Sequence, residues 1–131
     1  MTEEPIGKKI KLLVAHENPD MDAIGAIWLF KRFAGDSFNE SEYYFVHAGD
    51  RIDADTMQAK GVVDDEVIHV DTAMGRFDHH QPGNTLRDSA TLRVYSYLSE
   101  KFEELADDEA LKRVVGFINE TDHFASYYWP E

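Results

Sequence analysis

His16-x-x-x-Asp20-x-Asp22 sets one imidazole and two carboxylates within seven residues, and Asp71 followed by Asp78-His79-His80 adds two carboxylates and two adjacent imidazoles. These are oxygen and nitrogen donors without sulfur. Such a set suits Mn²⁺, Mg²⁺, Fe or Co better than a structural zinc site. Carboxylates in this number repel one another unless a cation lies between them. The pattern therefore predicts a metal site with more than one ion. Each piece alone carries a plainer reading: Asp20 as a helix cap, Asp71 as a turn residue at a strand end, His79-His80 as a solvated pair.

The elements that must position these residues follow from apolar patterning. Ile10–Ala15 reads as a short buried strand, Tyr43–Ala48 as a second and Glu66–Val70 as a third. Arg76-Phe77 reads as a brief fourth strand or a loop. Asp22–Phe33 has a helical pattern with Ile24, Ile27, Trp28 and Lys31 on nearby faces and Gly35 as its stop. Asp53–Lys60 reads as a short helix ended by Gly61. Ser89–Leu105 reads as one long helix carrying Leu92, Tyr95, Leu98, Phe102 and Leu105. Asp107–Glu120 follows, with Asp107 or Asp108 as cap and Leu111, Val114, Val115 and Ile118 as its stripe. Alternating strands and helices predict an α/β fold, a three-layer sandwich around a mostly parallel, doubly wound sheet. Ligands of such sheets bind beyond the carboxyl ends of the strands. His16, Asp20, Asp22 and Asp71 all follow strands.

At 131 residues the chain reads as a single domain, 1–131, long enough for a core without disulfides. It contains no cysteine, which excludes thiolate metal sites and a cysteine nucleophile and fits a cytoplasmic setting. The first eleven residues lack a signal-peptide core, and no apolar run is long enough to span a membrane. A net charge of −13 argues against this domain gripping long nucleic acid by itself.

With these motifs in view, the chain resembles the DHH phosphoesterase superfamily, over about Ile10 to Phe124. His16-Glu17-Asn18-Pro19-Asp20-Met21-Asp22 matches that family's first motif, Asp71 the lone aspartate of the second, and Asp78-His79-His80 the third. Asp122 is the candidate for the fourth. The resemblance implies two divalent ions, Mn²⁺ first, with Mg²⁺ or Co²⁺ as alternatives. His16, Asp20 and Asp71 would hold one. Asp22, Asp71, His79 and Asp122 would hold the other, with Asp71 bridging. His80 would face the phosphoryl group, and Asp78 would orient a histidine. The implied activity is hydrolysis of phosphoester or phosphoanhydride bonds in a small phosphorylated compound or short nucleotide, by a metal-bound hydroxide.

Only Thr72–Phe77 separates Asp71 from Asp78, a short spacing similar to that of the melanocyte-proliferating-gene type hydrolases. Family members usually carry a further substrate-holding domain after the fourth motif, and this sequence ends at Glu131 without one. The expectation is either a fragment or a minimal form with an open site. Tyr127, Tyr128 and Trp129 then mark packing on the core, the face of a missing domain or a homodimer contact. Arg76, Arg87 and Arg93 flank the motif and could grip phosphate, Arg76 first among them. The helix opening at Ser89-Ala90-Thr91 could meet an anion. His47 and His69 read as structural, and His123 as a surface histidine at a helix end. Two other readings stay open: a non-catalytic metal- or nucleotide-binding module, and an all-helical HD-type hydrolase.

Overall fold

The computed structural model describes residues 3–84 and 86–123. Phe124, Tyr127, Tyr128 and Trp129, and the contacts expected of them, lie outside the described residues. Among the described residues the sheet has three strands, all parallel, in the order β2-β1-β3: β1 Leu12–His16, β2 Glu42–Val46 and β3 Val67–His69. β1 is central, and its Leu12, Leu13, Val14 and Ala15 are all buried, as a strand covered on both faces requires. Among the described residues a single parallel bridge, Val70 to Phe77, is all that forms of the expected strand at Arg76-Phe77.

Side chains alternate across β1. Leu13 and Ala15 join the larger core with Ala26, Phe30, Val94, Leu98 and Val115, whereas Leu12 and Val14 join a smaller cluster with Ile52, Val62 and Val67. The larger core lies under α1 (Met21–Phe33), α3 (Ala90–Lys101) and α5 (Glu109–Asp122). On the other face α2 (Ala54–Lys60) contributes Met57. The connection from β1 to β2 thus lies on one face and that from β2 to β3 on the other. Connections of one hand that run in opposite directions from the first strand must do this. The chain therefore changes winding direction between β1 and β3.

Local chemistry explains the element ends. Asp20, Asp53, Ser89 and Asp108 cap α1, α2, α3 and α5, each side chain accepting a hydrogen bond from the amide three residues on. Gly61 ends α2 in the left-handed conformation at φ 69°. The expected helix over 89–105 is broken: Phe102 is extended, at φ −131° and ψ 98°, and the short α4 (Glu103–Ala106) restarts beyond it. Its apolar spacing continues because Phe102 and Leu105 still pack on the core. The inner face of α1 also differs from the expected one. Ala23, Ala26, Leu29 and Phe30 are buried, while Ile24 and Trp28 are exposed. Small residues win this face because α1 passes close to its neighbours: a Cβ on Gly25 would lie 2.6 Å from Thr91 Oγ1 and 2.9 Å from Ile118 Cδ1.

Candidate metal centre

The loop after β1 turns at Asn18, in the left-handed region at φ 52°, and feeds Asp20 and Asp22 into the start of α1. The loop after β3 is under more strain. Asp71, Ala73 and Met74 have φ values of 56°, 69° and 52°, unusual for residues with a Cβ. It is fastened by Asp71 N–H donating to Phe77 O at 2.9 Å and Thr72 Oγ1 donating to Asp50 O at 2.6 Å. Both loops open at the switch between β1 and β3, the place where a doubly wound sheet forms a crevice.

Among the described residues three groups of side chains there could hold a metal ion, with ligand atoms within 4.8 Å of one another: His16, Asp20 and Asp71; Asp22, His79 and Asp122; and Asp71, His79 and His80. Buried Asp71 belongs to two of them. Its Oδ2 lies 3.1 Å from His16 Nε2, and its Oδ1 lies 3.5 Å from His79 Nε2. His16 Nδ1 donates to Glu17 O at 2.9 Å, so its Nε2 is the atom turned toward the carboxylates. A histidine held by a backbone carbonyl in this way is fixed as a ligand on its other nitrogen. Asp20 caps α1 through Oδ1, and the same atom lies 3.8 Å from His16 Nε2.

His79 Nε2 faces three carboxylates, at 3.1 Å from Asp122 Oδ2 and 3.5 Å from both Asp22 Oδ2 and Asp71 Oδ1. None of these approaches is aligned as a hydrogen bond, and among the described residues His79 Nε2 and Asp71 Oδ1 are buried without a hydrogen-bond partner. Unpartnered buried polar atoms are uncommon and costly. A cation between them would satisfy both, so the donor set fits a divalent ion.

Electrostatics within the protein alone agree. The adjacent carboxylates, Asp122 and then Asp71, push the His79 imidazole up to about 10. Burial, then the charge of Asp71, pushes Asp22 up to about 6. Burial also acts to raise Asp71, but the neighbouring imidazoles of His79 and His16 outweigh it and hold the carboxyl below its ordinary value. Burial acts to lower His16; the Glu17 carbonyl and Asp71 outweigh it and raise it.

Two supports are not visible in any motif. Asp22 accepts from Ala90 N–H at 3.0 Å and Thr91 N–H at 2.8 Å, so the anion at the start of α3 is the protein's own carboxylate. Asn84 Nδ2 donates to His79 O at 2.7 Å and to Asp88 Oδ1 at 3.2 Å, tying the histidine's backbone to the α3 loop. The turn-forming Gly83-Asn84 pair is the one signal for this second contact.

Asp78 is buried and accepts from Met74 N–H at 2.8 Å and from His80 Nδ1–H at 2.6 Å. His80 is thus held by one nitrogen while its ring stands half-exposed at the cleft formed by Asp20, Met21, Asp22, His79 and Asp122. The three arginines do not offer free guanidinium groups. Arg76 donates to Glu3 O and Glu4 Oε2, Arg87 pairs with Glu120, and Arg93 pairs with Asp88. His123 Nε2 donates to Asp88 O, His47 pairs with Glu17 at the surface, and His69 is buried, accepting from Ile52 N–H. Among the described residues no helix is long and apolar enough to cross a membrane.

Comparison with protein-family models, with curated proteins and with solved structures finds no match to this chain.

Proposed function

We propose that this domain is a divalent-metal-dependent phosphohydrolase of the DHH type, acting on phosphoester or phosphoanhydride bonds of a small phosphorylated compound. One observation carries the reading: Asp71 turns its two oxygens to two different ligand groups, Oδ2 to His16 and Oδ1 to His79. A carboxylate so disposed is a bridge for two ions. His16, Asp20 and Asp71 would hold the first, and Asp22, Asp71, His79 and Asp122 the second, with Mn²⁺ best suited to this oxygen–nitrogen set. When bound, such a pair supplies an acidified water and neutralises phosphoryl charge.

The remaining work falls to side chains. Asp78 accepts from Nδ1–H of His80 and so fixes the ring; when the ring carries a second proton, Nε2–H would donate to a phosphoryl oxygen or pass that proton to the leaving oxygen. Asp22, anchored on the amides of Ala90 and Thr91, keeps its carboxylate turned to His79. No serine or cysteine nucleophile is required.

The test is metal binding by calorimetry, paired with release of nitrophenol from a model diester. The expected result is two Mn²⁺ per chain and metal-dependent turnover, with Asp71→Asn losing affinity for both ions. Single-ion binding, equal in wild type and Asp71→Asn, would defeat the two-ion reading. A second reading, a metal-binding module without catalysis, is favoured by the pairing of all three flanking arginines, which leaves none of them to hold a phosphoryl group. A fully metallated chain that hydrolyses no phosphoester, pyrophosphate or dinucleotide would establish it.

A further inference from the structure

Among the described residues β2 is an edge strand with nothing paired to its outer side. Glu42 N–H donates to Lys11 O, and Val46 O accepts from Glu17 N–H. Alternation along the strand then directs the amides and carbonyls of Tyr43 and Phe45 away from β1, to the open side. Edge strands of monomeric proteins are commonly blunted by lysine, proline or a bulge. Glu42-Tyr43-Tyr44-Phe45-Val46 has none of these, its one charge is Glu42 at the strand start, Lys31 and Lys60 reach over the Tyr43 and Tyr44 rings, and Tyr43 and Phe45 are 53% and 43% exposed.

The apolar surface extends onto α1. The register pairs Leu13 with Tyr43 and Ala15 with Phe45, so both aromatic rings lie on the α1 face of the sheet. Lys31 Nζ sits 5.7 Å from the Tyr43 ring, which sets the helix against the strand. At about 1.5 Å of rise per residue, the helix brings Trp28 level with the middle of β2 and Ile24 level with its end. These two side chains are 42% and 55% exposed.

We propose that β2 is a homodimer surface, pairing antiparallel with β2 of a second copy about a two-fold axis at Tyr44 to give a continuous six-stranded sheet. The register is self-complementary. Tyr43 stands opposite the partner's Phe45 as a hydrogen-bonded pair, twice over, so the four outward amide–carbonyl bonds are all made. Glu42 stands opposite the partner's Val46, which avoids a like-charge pair across the strands. Trp28, level with the axis, comes level with the partner's Trp28. A second copy is favoured over another partner because the two-fold closes the assembly and leaves no β2 edge open.

Area sets the strength. With aromatic side chains of about 150–250 Å² each, the four exposed fractions amount to roughly 350 Å² of apolar surface per chain. That is about half of the ~800 Å² per side typical of a stable complex, so the dimer is a weak one. A charge of −13 on each copy acts in the same direction. Antiparallel pairing sends the carboxyl ends of the two sets of strands in opposite directions, so both metal clusters stay open to solvent. The proposal stands whether or not the domain is a hydrolase.

Sedimentation velocity up to about 0.5 mM tests the affinity. Wild type should show a monomer–dimer equilibrium, and Phe45→Lys or Tyr43→Lys should raise Kd at least about ten-fold with an unchanged circular dichroism spectrum. The register has its own test, because the chain contains no cysteine. In the non-hydrogen-bonded pair at the axis the two Tyr44 Cα atoms would be about 4.5 Å apart, within disulfide reach. Tyr44→Cys should therefore form disulfide dimers at least about ten-fold faster than exposed Glu104→Cys. A chain that stays monomeric throughout, a dimer unaffected by Phe45→Lys, or cross-linking of Tyr44→Cys at the Glu104→Cys rate would each overturn the proposal.

Discussion

Without metal, Asp22 is a liability to the fold, and Asp22→Asn measures by how much. Its carboxyl is raised from 3.8 to about 6, first by burial and then by Asp71. That difference of about 2 units corresponds to about 3 kcal/mol, at about 1.4 kcal/mol per unit, by which folding disfavours the ionised form. Asparagine removes the charge and keeps the shape. It also places an NH₂ against one of the two amide donors that Asp22 now satisfies, Ala90 N–H or Thr91 N–H, which costs about 1–2 kcal/mol. The metal-free variant should therefore be more stable than wild type at pH 7.5 by about 1–2 kcal/mol. The sign follows from linkage. A carboxyl raised in the folded state is penalised above its folded value of about 6, and the penalty is relieved as the pH falls toward 3.8. The advantage of asparagine should shrink on going to about pH 5. Saturating Mn²⁺ should reverse the order, since a ligand at about 100 times its Kd adds about 2.7 kcal/mol to the chain that binds it. The assay is urea unfolding of both chains at the two pH values, in chelator and in Mn²⁺. A metal-free variant that is less stable than wild type at pH 7.5, or equal stabilisation of both chains by Mn²⁺, would refute the reasoning.

Gly25→Ala should destabilise the protein by about 1–3 kcal/mol despite the better helix propensity of alanine, because the new methyl would meet Thr91 Oγ1 and Ile118 Cδ1; urea midpoints check it. His80→Ala should slow turnover by about 10²–10³ while Mn²⁺ content stays near that of wild type, since the ring is held by Asp78 and stands at the rim of the cleft; steady-state rates and metal analysis check it. His69 is pushed down to about 4, chiefly by burial and then by Arg51, so its contribution to stability is fully present above 6.5 and is lost as the pH falls through 4. Acid titration of unfolding should therefore show a loss of about 3 kcal/mol from this group, absent in His69→Gln.

The types of the candidate ligands and their places after β1 and β3 are legible in the sequence, because a buried apolar run followed by a turn marks a strand end whatever the rest of the chain does. The caps Asp20, Asp53, Ser89 and Asp108 are legible for the same reason: a cap acts over three residues. The alternation of strands and helices likewise predicts the parallel α/β sheet that forms. What the chain does not reveal alone is every relation that depends on two distant segments. Helical spacing identifies an apolar stripe on α1 but not which flank faces inward. Ile24 and Trp28 are exposed because Gly25, Ala26 and Ala23 admit α3 and α5 more closely than large side chains can. The break at Phe102 is equally hidden, since its side chain packs on the core on either backbone path. The arginines beside the motif look available until their acidic partners, Glu4, Glu120 and Asp88, are brought to them. Only the tertiary fold turns the two oxygens of Asp71 toward His16 and His79, through a left-handed backbone that no local preference favours, and only the packing of α1 on α3 lays Asp22 on the amides of Ala90 and Thr91.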